Sequence, residues 1–269
     1  MRNLVVAAIA CLLAACGGGG GGTPTPTAPA PIPALDACNA LGGSTTSAGT
    51  AILNGADCTN PSPVVLMNMR DAAGNGLGAC SGTLVTPRHI LTAAHCLDQD
   101  EFSPPVGIVR VWLGSGDQID AAAFVHYPNY RFNQSGFDVG VVTMAQDLPR
   151  TPVPILASRD GRTGETAIIV GWGRDQNNST ARLRAGSTTV SRVGNGFLET
   201  IFAPPSSSVC QGDSGGPILL QEGGAWTIGG ITSATSDSVC NTGTNFYQSV
   251  RHPSVLDFIR QHVTGQSER

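Results

Sequence analysis

Gly212-Asp213-Ser214-Gly215-Gly216-Pro217 is the stretch on which the reading of this chain turns. Well upstream stands Leu91-Thr92-Ala93-Ala94-His95-Cys96, and between them Asp138 opens the apolar run Asp138-Val139-Gly140-Val141-Val142. A serine hydroxyl is a poor nucleophile until a base removes its proton during attack. His95 is the candidate base, because a neutral imidazole titrates near neutral pH and can return the proton to a leaving amine. Asp138 is the candidate for holding the ring tautomer and stabilising the imidazolium. Gly212 has no side chain and allows a close backbone approach, so the N–H groups of Gly212 and Ser214 are candidate donors to a developing oxyanion. Each residue has a bland counterpart: a surface turn, a structural histidine, an aspartate that ends a loop. Their coincidence in one chain is what argues for chemistry.

Outward from these motifs, short apolar or alternating segments recur with Gly, Pro, Asn and Asp between them. Val64 to Met69, Ser81 to Val85, Gly107 to Leu113, Val139 to Met144 and Thr166 to Trp172 are examples, followed by Pro217 to Leu220, Trp226 to Thr232 and Asn245 to Val250. Their β-branched content predicts strands, and many short strands predict a sandwich or a barrel, between which pattern does not choose. One helix is expected from Pro253 to about Val263, with proline in its first turn and Val255, Ile259 and Val263 on one face.

The order His95, Asp138, Ser214 and the two flanking segments resemble the chymotrypsin-like (trypsin-fold) serine peptidases; other serine hydrolases order these groups differently. The resemblance runs from Ile52 onward and takes in Gly171-Trp172-Gly173 and His126-Tyr127-Pro128-Asn129-Tyr130. It implies an all-β fold of two six-stranded antiparallel β-barrels with the active site between them and a C-terminal helix. It also implies a serine endopeptidase acting on protein or peptide substrates, with no cofactor. The substrate pocket carried over from the family has Ser208 as its floor and Thr235 and Asn245 as walls, with Ser233 supporting Asp138 from the adjoining strand. A neutral floor offers no partner to a substrate Arg or Lys, and branched or polar walls narrow the pocket, so cleavage after small or medium uncharged residues is expected. Ser233-Ala234-Thr235 departs from the family's Ser-Trp-Gly at this place, which suggests a wider, less aromatic neighbouring subsite. Ile52-Leu53-Asn54-Gly55 resembles the family's mature amino terminus, whose freed ammonium would pair with Asp213 inside the protein, though Ala51 precedes it here in place of Arg or Lys. An uncut linker entering the first strand is the other reading. Gly114 to Ala123 lacks the acidic spacing of the family's calcium loop, and no metal is expected there.

The chain starts with Arg2 and an apolar run from Leu4 to Ala15, too short for a bilayer span of ~20 residues but suited to a secretory signal. Leu13-Ala14-Ala15-Cys16 resembles a bacterial lipobox with Cys16 as the lipidated residue; an ordinary signal with an incidental Cys16 is the alternative. Residues 16–37 read as a Gly/Pro-rich tether, 38–51 as a possible propeptide and 52–269 as the protease domain. The expected location is outside the cytoplasm, either secreted or held to the cell envelope by lipid. Gly17, where an Asp would signal inner-membrane retention, favours the outer membrane in a Gram-negative host. Of 8 Cys, six remain besides Cys11 and Cys16, and an even set in an exported chain suggests disulfides with several connectivities open. With the resemblance, the pairs are Cys80–Cys96 around the His95 loop, Cys210–Cys240 at the pocket, and the remaining Cys38–Cys58. Metal binding is the rival reading, but no Cys-x-x-Cys pair or His cluster supports it. A net charge of −4 with 13% charged residues offers no concentrated basic patch for nucleic acid. Two other functions stay in view: a catalytically silent binding or adhesion module on the same fold, and an esterase-like hydrolase.

Overall fold

The computed structural model describes residues 37–41, 45–47, 52–59, 62–98, 101–116, 118–131, 136–175, 177, 180 and 182–269. The expected signal, Cys16, most of the tether and Ala51 lie outside these described residues.

Two short strands, β1 (Thr45–Ser47) and β2 (Ala56–Cys58), precede the barrels and pair antiparallel. The first barrel is built from β3 (Val64–Arg70), β4 (Gly76–Leu84), β5 (His89–Thr92), β6 (Ile108–Trp112), β7 (Ile119–His126) and β8 (Gly140–Met144). It closes in the order β3-β4-β5-β8-β7-β6. The second uses β9 (Thr166–Gly171), β10 (Arg184–Gly194), β11 (Phe197–Ile201), β12 (Pro217–Glu222), β13 (Ala225–Thr235) and β14 (Thr244–Ser249). Their order is β10-β11-β14-β13-β12-β9, and the additional β10–β9 pairing shuts the ring. The two six-stranded antiparallel barrels of the expected fold are therefore present, with β2 attached to the rim of the second through Arg184 and Ala185.

Period-two alternation explains which faces point inward. In β6, Val109 and Val111 are buried while Ile108, Arg110 and Trp112 are partly exposed. The strands β8, β9 and β12 read as near-continuous apolar runs because both of their faces are covered. The barrels meet along a seam where Trp172 donates from Nε1 to the Val64 carbonyl at 3.0 Å and lies 5.4 Å from the Trp112 ring. The C-terminal helix, Pro253–His262, starts on proline and buries Val255, Leu256, Phe258 and Ile259. Each such side chain contributes roughly 1.5–3 kcal/mol by leaving water. Three disulfides, Cys38–Cys58, Cys80–Cys96 and Cys210–Cys240, brace the chain. The first ties the short 3-10 turn Cys38–Leu41, whose Ala40 and Leu41 pack against the core, to β2. No helix among the described residues is long and apolar enough to cross a membrane.

Candidate active site

His95 sits in a one-turn 3-10 helix, Ala94–Cys96, directly after β5. The Cys80–Cys96 disulfide anchors that turn to β4, so the imidazole is held by a covalent brace one residue away. Asp138 lies two residues before β8, the strand that pairs with β5 from Thr92↔Gly140 onward. That register brings the carboxylate to the ring: His95 Nδ1 and Asp138 Oδ2 are 2.8 Å apart, and the His95 backbone N–H donates to Asp138 Oδ1 at 2.9 Å. Ser233, at the far end of β13, donates its hydroxyl to the same Oδ2 at 2.6 Å. The Asp138 N–H is in turn taken by Gln248 Oε1 at 3.2 Å. Burial works against ionising Asp138, but the charge of His95 and the hydrogen bonds from His95 and Ser233 outweigh it and hold the carboxyl below its ordinary value. Burial likewise opposes protonation of His95, and the Asp138 charge and hydrogen bond overcome it and raise the imidazole above 6.5. With Nδ1 carrying the proton toward Asp138, the lone pair of the neutral ring resides on Nε2.

The Ser214 loop is delivered to this pair from the second barrel. The Ser81 N–H donates to the Ser214 carbonyl at 2.8 Å, and Ser81 in turn accepts from the Thr92 hydroxyl on its own carbonyl at 2.9 Å. Gly215 packs so tightly on Thr92 that a Cβ there would lie 2.1 Å from the Thr92 hydroxyl oxygen. The Gly215 N–H donates to Thr232, the residue before Ser233, at 2.8 Å. The Ser214 loop, the His95 turn and the Ser233 strand are thereby fixed to one another. Gly212 has φ +94°, a conformation that favours glycine. Among the described residues, neither the Gly212 nor the Ser214 N–H has a hydrogen-bond partner, whereas the N–H groups of Asp213, Gly215 and Gly216 are all taken. Asp213 is fully buried, accepting from Gly173 N–H on Oδ1 and Cys210 N–H on Oδ2, both at 2.8 Å. Burial raises its pKa to about 6 despite those bonds and the nearby Arg184 charge. A cleft of about 310 Å³ runs against Gly212, lined in part by Trp172, Arg174 and Gln211.

Ser208 and Asn245 are both fully buried and face each other. The Asn245 amide donates to the Ser208 hydroxyl at 3.0 Å and to the Thr200 hydroxyl at 3.2 Å, and the Ser208 hydroxyl lies 3.2 Å from Asn245 Oδ1. Thr200 continues the network to the Tyr247 hydroxyl at 3.3 Å. Thr235 is partly exposed and turns its hydroxyl to the Asp237 carbonyl at 2.6 Å. Ser233 is committed to Asp138. Ile52 is buried among Leu156, Ala167, Ile169 and Val209, and has φ +38°, an uncommon backbone for a β-branched residue. Leu53 exchanges backbone hydrogen bonds with Ser208, which ties the entering segment to the Ser208–Asn245 site.

Thr200, Tyr247, Gln248 and Ser81 were not singled out from the sequence. Their residue types are unremarkable in strands, and only the barrel pairings Thr200↔Asn245 and Thr232↔Tyr247 reveal their places. Among the described residues, one cluster of metal-ligand types occurs, Cys80, His95 and Cys96, and its two cysteines are joined in a disulfide.

Comparison with known proteins shows a family and a fold. The family model described as Trypsin matches residues 52–259. Chymotrypsin-C of Rattus norvegicus is 28% identical over 209 residues, covering 68% of this chain and 78% of the relative. Chymotrypsin-like elastase family member 1 of Macaca fascicularis is 24% identical over 228 residues, covering 76% and 82%. Chymotrypsin of Phaedon cochleariae is 27% identical over 244 residues, covering 81% and 84%. Among solved structures, one described as HL collagenase superposes with a TM-score of 0.61 at 20% identity, over 74% of this chain and 92% of that one, a likeness of fold.

Proposed function

Because the chain belongs to the Trypsin family of chymotrypsin-like serine peptidases, we propose that it is a serine endopeptidase whose triad is His95, Asp138 and Ser214. The observation that carries this reading is the His95–Asp138–Ser233 array set beside a loop that presents two unpartnered N–H groups. Ser214 Oγ attacks the scissile carbonyl as His95 Nε2 takes its proton; the imidazolium is stabilised by Asp138 and then protonates the leaving amine. Gly212 and Ser214 N–H groups receive the carbonyl oxygen as it becomes an anion, a contribution of ~100–1,000-fold in turnover per donor. Proton and electron pair both return to Ser214 when water repeats the sequence on the acyl-enzyme.

Cleavage falls after small or medium uncharged residues. The support is the Ser208–Asn245 pair, whose polar atoms satisfy each other and Thr200 and which carries no negative charge for a substrate Arg or Lys. Thr235 narrows the wall above it. Residues 1–15 act as a signal, Cys16 as a lipidation site, 16–37 as a tether and 38–51 as a propeptide, placing the enzyme outside the cytoplasm on the cell envelope. Three disulfides fit that compartment. Cutting at Ala51–Ile52 then supplies an ammonium to the buried Asp213, with Cys38–Cys58 keeping the new terminus joined to the tether.

The test is cleavage of a diverse peptide library by the full chain and by a form starting at Ile52, each alongside Ser214→Ala. Cuts after Ala, Val or Thr that vanish in Ser214→Ala are expected. Efficient cutting after Arg refutes the pocket reading. No Ser214-dependent cutting by either form leaves a binding module on the protease fold.

A further inference from the structure

Arg184, at the start of β10, is 1% exposed, in a setting where a long cation is costly unless its donors are paired. Its partners come from two separate stretches, β2 and the segment after β9. Nε reaches Asp57 Oδ1 on β2 at 3.2 Å, Nη2 reaches Asp175 Oδ2 at 3.2 Å, and Nη1 donates to the Gly173 carbonyl at 2.9 Å. Gly173 passes the contact on: its own N–H donates to Asp213 Oδ1 at 2.8 Å. It has no room to shift, because a Cβ on Gly173 would lie 2.5 Å from Asp213 Cγ, and one on Gly212 would lie 2.9 Å from Gly173 Cα. Hydrogen bonds therefore run from two carboxylates through Arg184 and Gly173 to Asp213, the residue between the two loop positions with unpartnered N–H groups.

The geometry points to Arg184 as a positioning residue that holds Gly173, and through it the Gly212–Ser214 loop, in the conformation that presents both oxyanion donors. It touches no reacting atom. The inference rests on the serine peptidase reading and adds a support for the loop that acts from within the chain, alongside whatever an amino terminus at Ile52 contributes. Donors spread over a planar fork are what let one side chain bridge Asp57, Asp175 and Gly173 at once, which an ammonium cannot reproduce. Asp57 also binds the exposed Arg182 at 2.9 Å, so the entering segment keeps a cation when Arg184 is replaced.

The experiment compares wild type, Arg184→Met, Arg184→Lys and Arg182→Gln by steady-state peptide hydrolysis and by hydrogen exchange of the segment 210–216. Arg184→Met is expected to lower kcat about 10–100-fold with KM within about threefold, and to speed exchange in that segment about tenfold. Arg184→Lys falls between, and Arg182→Gln stays within about twofold of wild type in both readouts. A folded Arg184→Met with unchanged kcat and unchanged exchange overturns the proposal, as does a change confined to KM. Should Arg184→Met fail to fold, Asp175→Asn carries the same readouts with effects of about 3–10-fold, and their absence there overturns it equally. Should wild type show no Ser214-dependent hydrolysis, the peptidase reading fails by itself. Exchange of 210–216 in Arg184→Met then still decides the positioning role.

Discussion

The ring β3-β4-β5-β8-β7-β6 encloses Met67, Leu84, Ile90, Val111 and Met144, and the buried polar groups of that half are Ser and Thr apart from Asp71, Asp98 and Asp138. The ring β9-β10-β11-β14-β13-β12 repeats that strand order around Ile169, Leu198, Ile218 and Tyr247, yet it also buries Arg184, Glu199, Thr200, Asn245 and Gln248. The same topology thus serves two purposes. An apolar barrel sets two side chains, His95 and Asp138, at a strand pairing and braces the His95 turn with a disulfide. A barrel with a more polar interior holds the Gly212–Gly216 loop and the Ser208–Asn245 pair through hydrogen bonds. Buried polar groups linked in a network cost stability when a partner is removed, so a substitution within the second barrel's network acts on several residues at once.

The sharpest way to break the comparison is at the first barrel's contribution. Asp138→Asn leaves the ring hydrogen-bonded but favours the wrong tautomer, and kcat is expected to fall roughly 10⁴-fold with KM little changed, measured on a good peptide substrate. A drop below tenfold would remove Asp138 from the triad. Next in size are the disulfides. Replacing Cys80 and Cys96 by Ala, or Cys210 and Cys240 by Ala, is expected to cost about 3–4 kcal/mol each in denaturant unfolding, since they close segments of 16 and 30 residues. Both replacements should also depress kcat at low denaturant, the first more strongly because it frees the turn that carries His95, the second by loosening the loop in which the Cys210 N–H meets Asp213. Equal kinetic effects of both would erase the distinction between the barrels.

Acid titration separates them by sign. Asp213, raised from 3.8 to about 6 in the folded chain, favours the folded state when protonated. Its contribution is fully present below 3.8 and is lost as pH rises through 6, about 3 kcal/mol in all. Asp138, held below its ordinary value, does the reverse: its stabilisation is present above 3.8 and lost as pH falls through the folded value. Stability measured from pH 3 to 8 in Asp213→Asn should lose the decline between about pH 4 and 6 that the parent shows. An unchanged profile refutes the assignment. The smallest effect is expected from Ser233→Ala, which removes one of the hydrogen bonds to Asp138 Oδ2 and should reduce kcat about 3–10-fold without altering cleavage preference.

Much of the candidate site was legible because it is written in contiguous residues. Gly212 to Pro217 and Ala93 to Cys96 carry their chemistry locally, and Val109 with Val111 or Val255 with Ile259 advertise strand and helix by spacing alone. The strands β7 and β10 were not legible. Ile119–His126 holds three alanines, and Arg184–Gly194 is mostly small or polar, so neither shows apolar alternation. They are strands because β8 on one side and β9 and β11 on the other supply their hydrogen bonds. Likewise Asn245 reads as a pocket wall in sequence, while its satisfaction by Ser208 and Thr200, 37 and 45 residues away, exists only once the second barrel closes. The sequence by itself determined which groups could do chemistry and in what order they run, because nucleophile, base and turn glycines act through their own covalent structure. Which buried polar groups find partners, Arg184 among them, was settled by the folded barrels alone, because a hydrogen bond between strands depends on register and distance that no local pattern encodes.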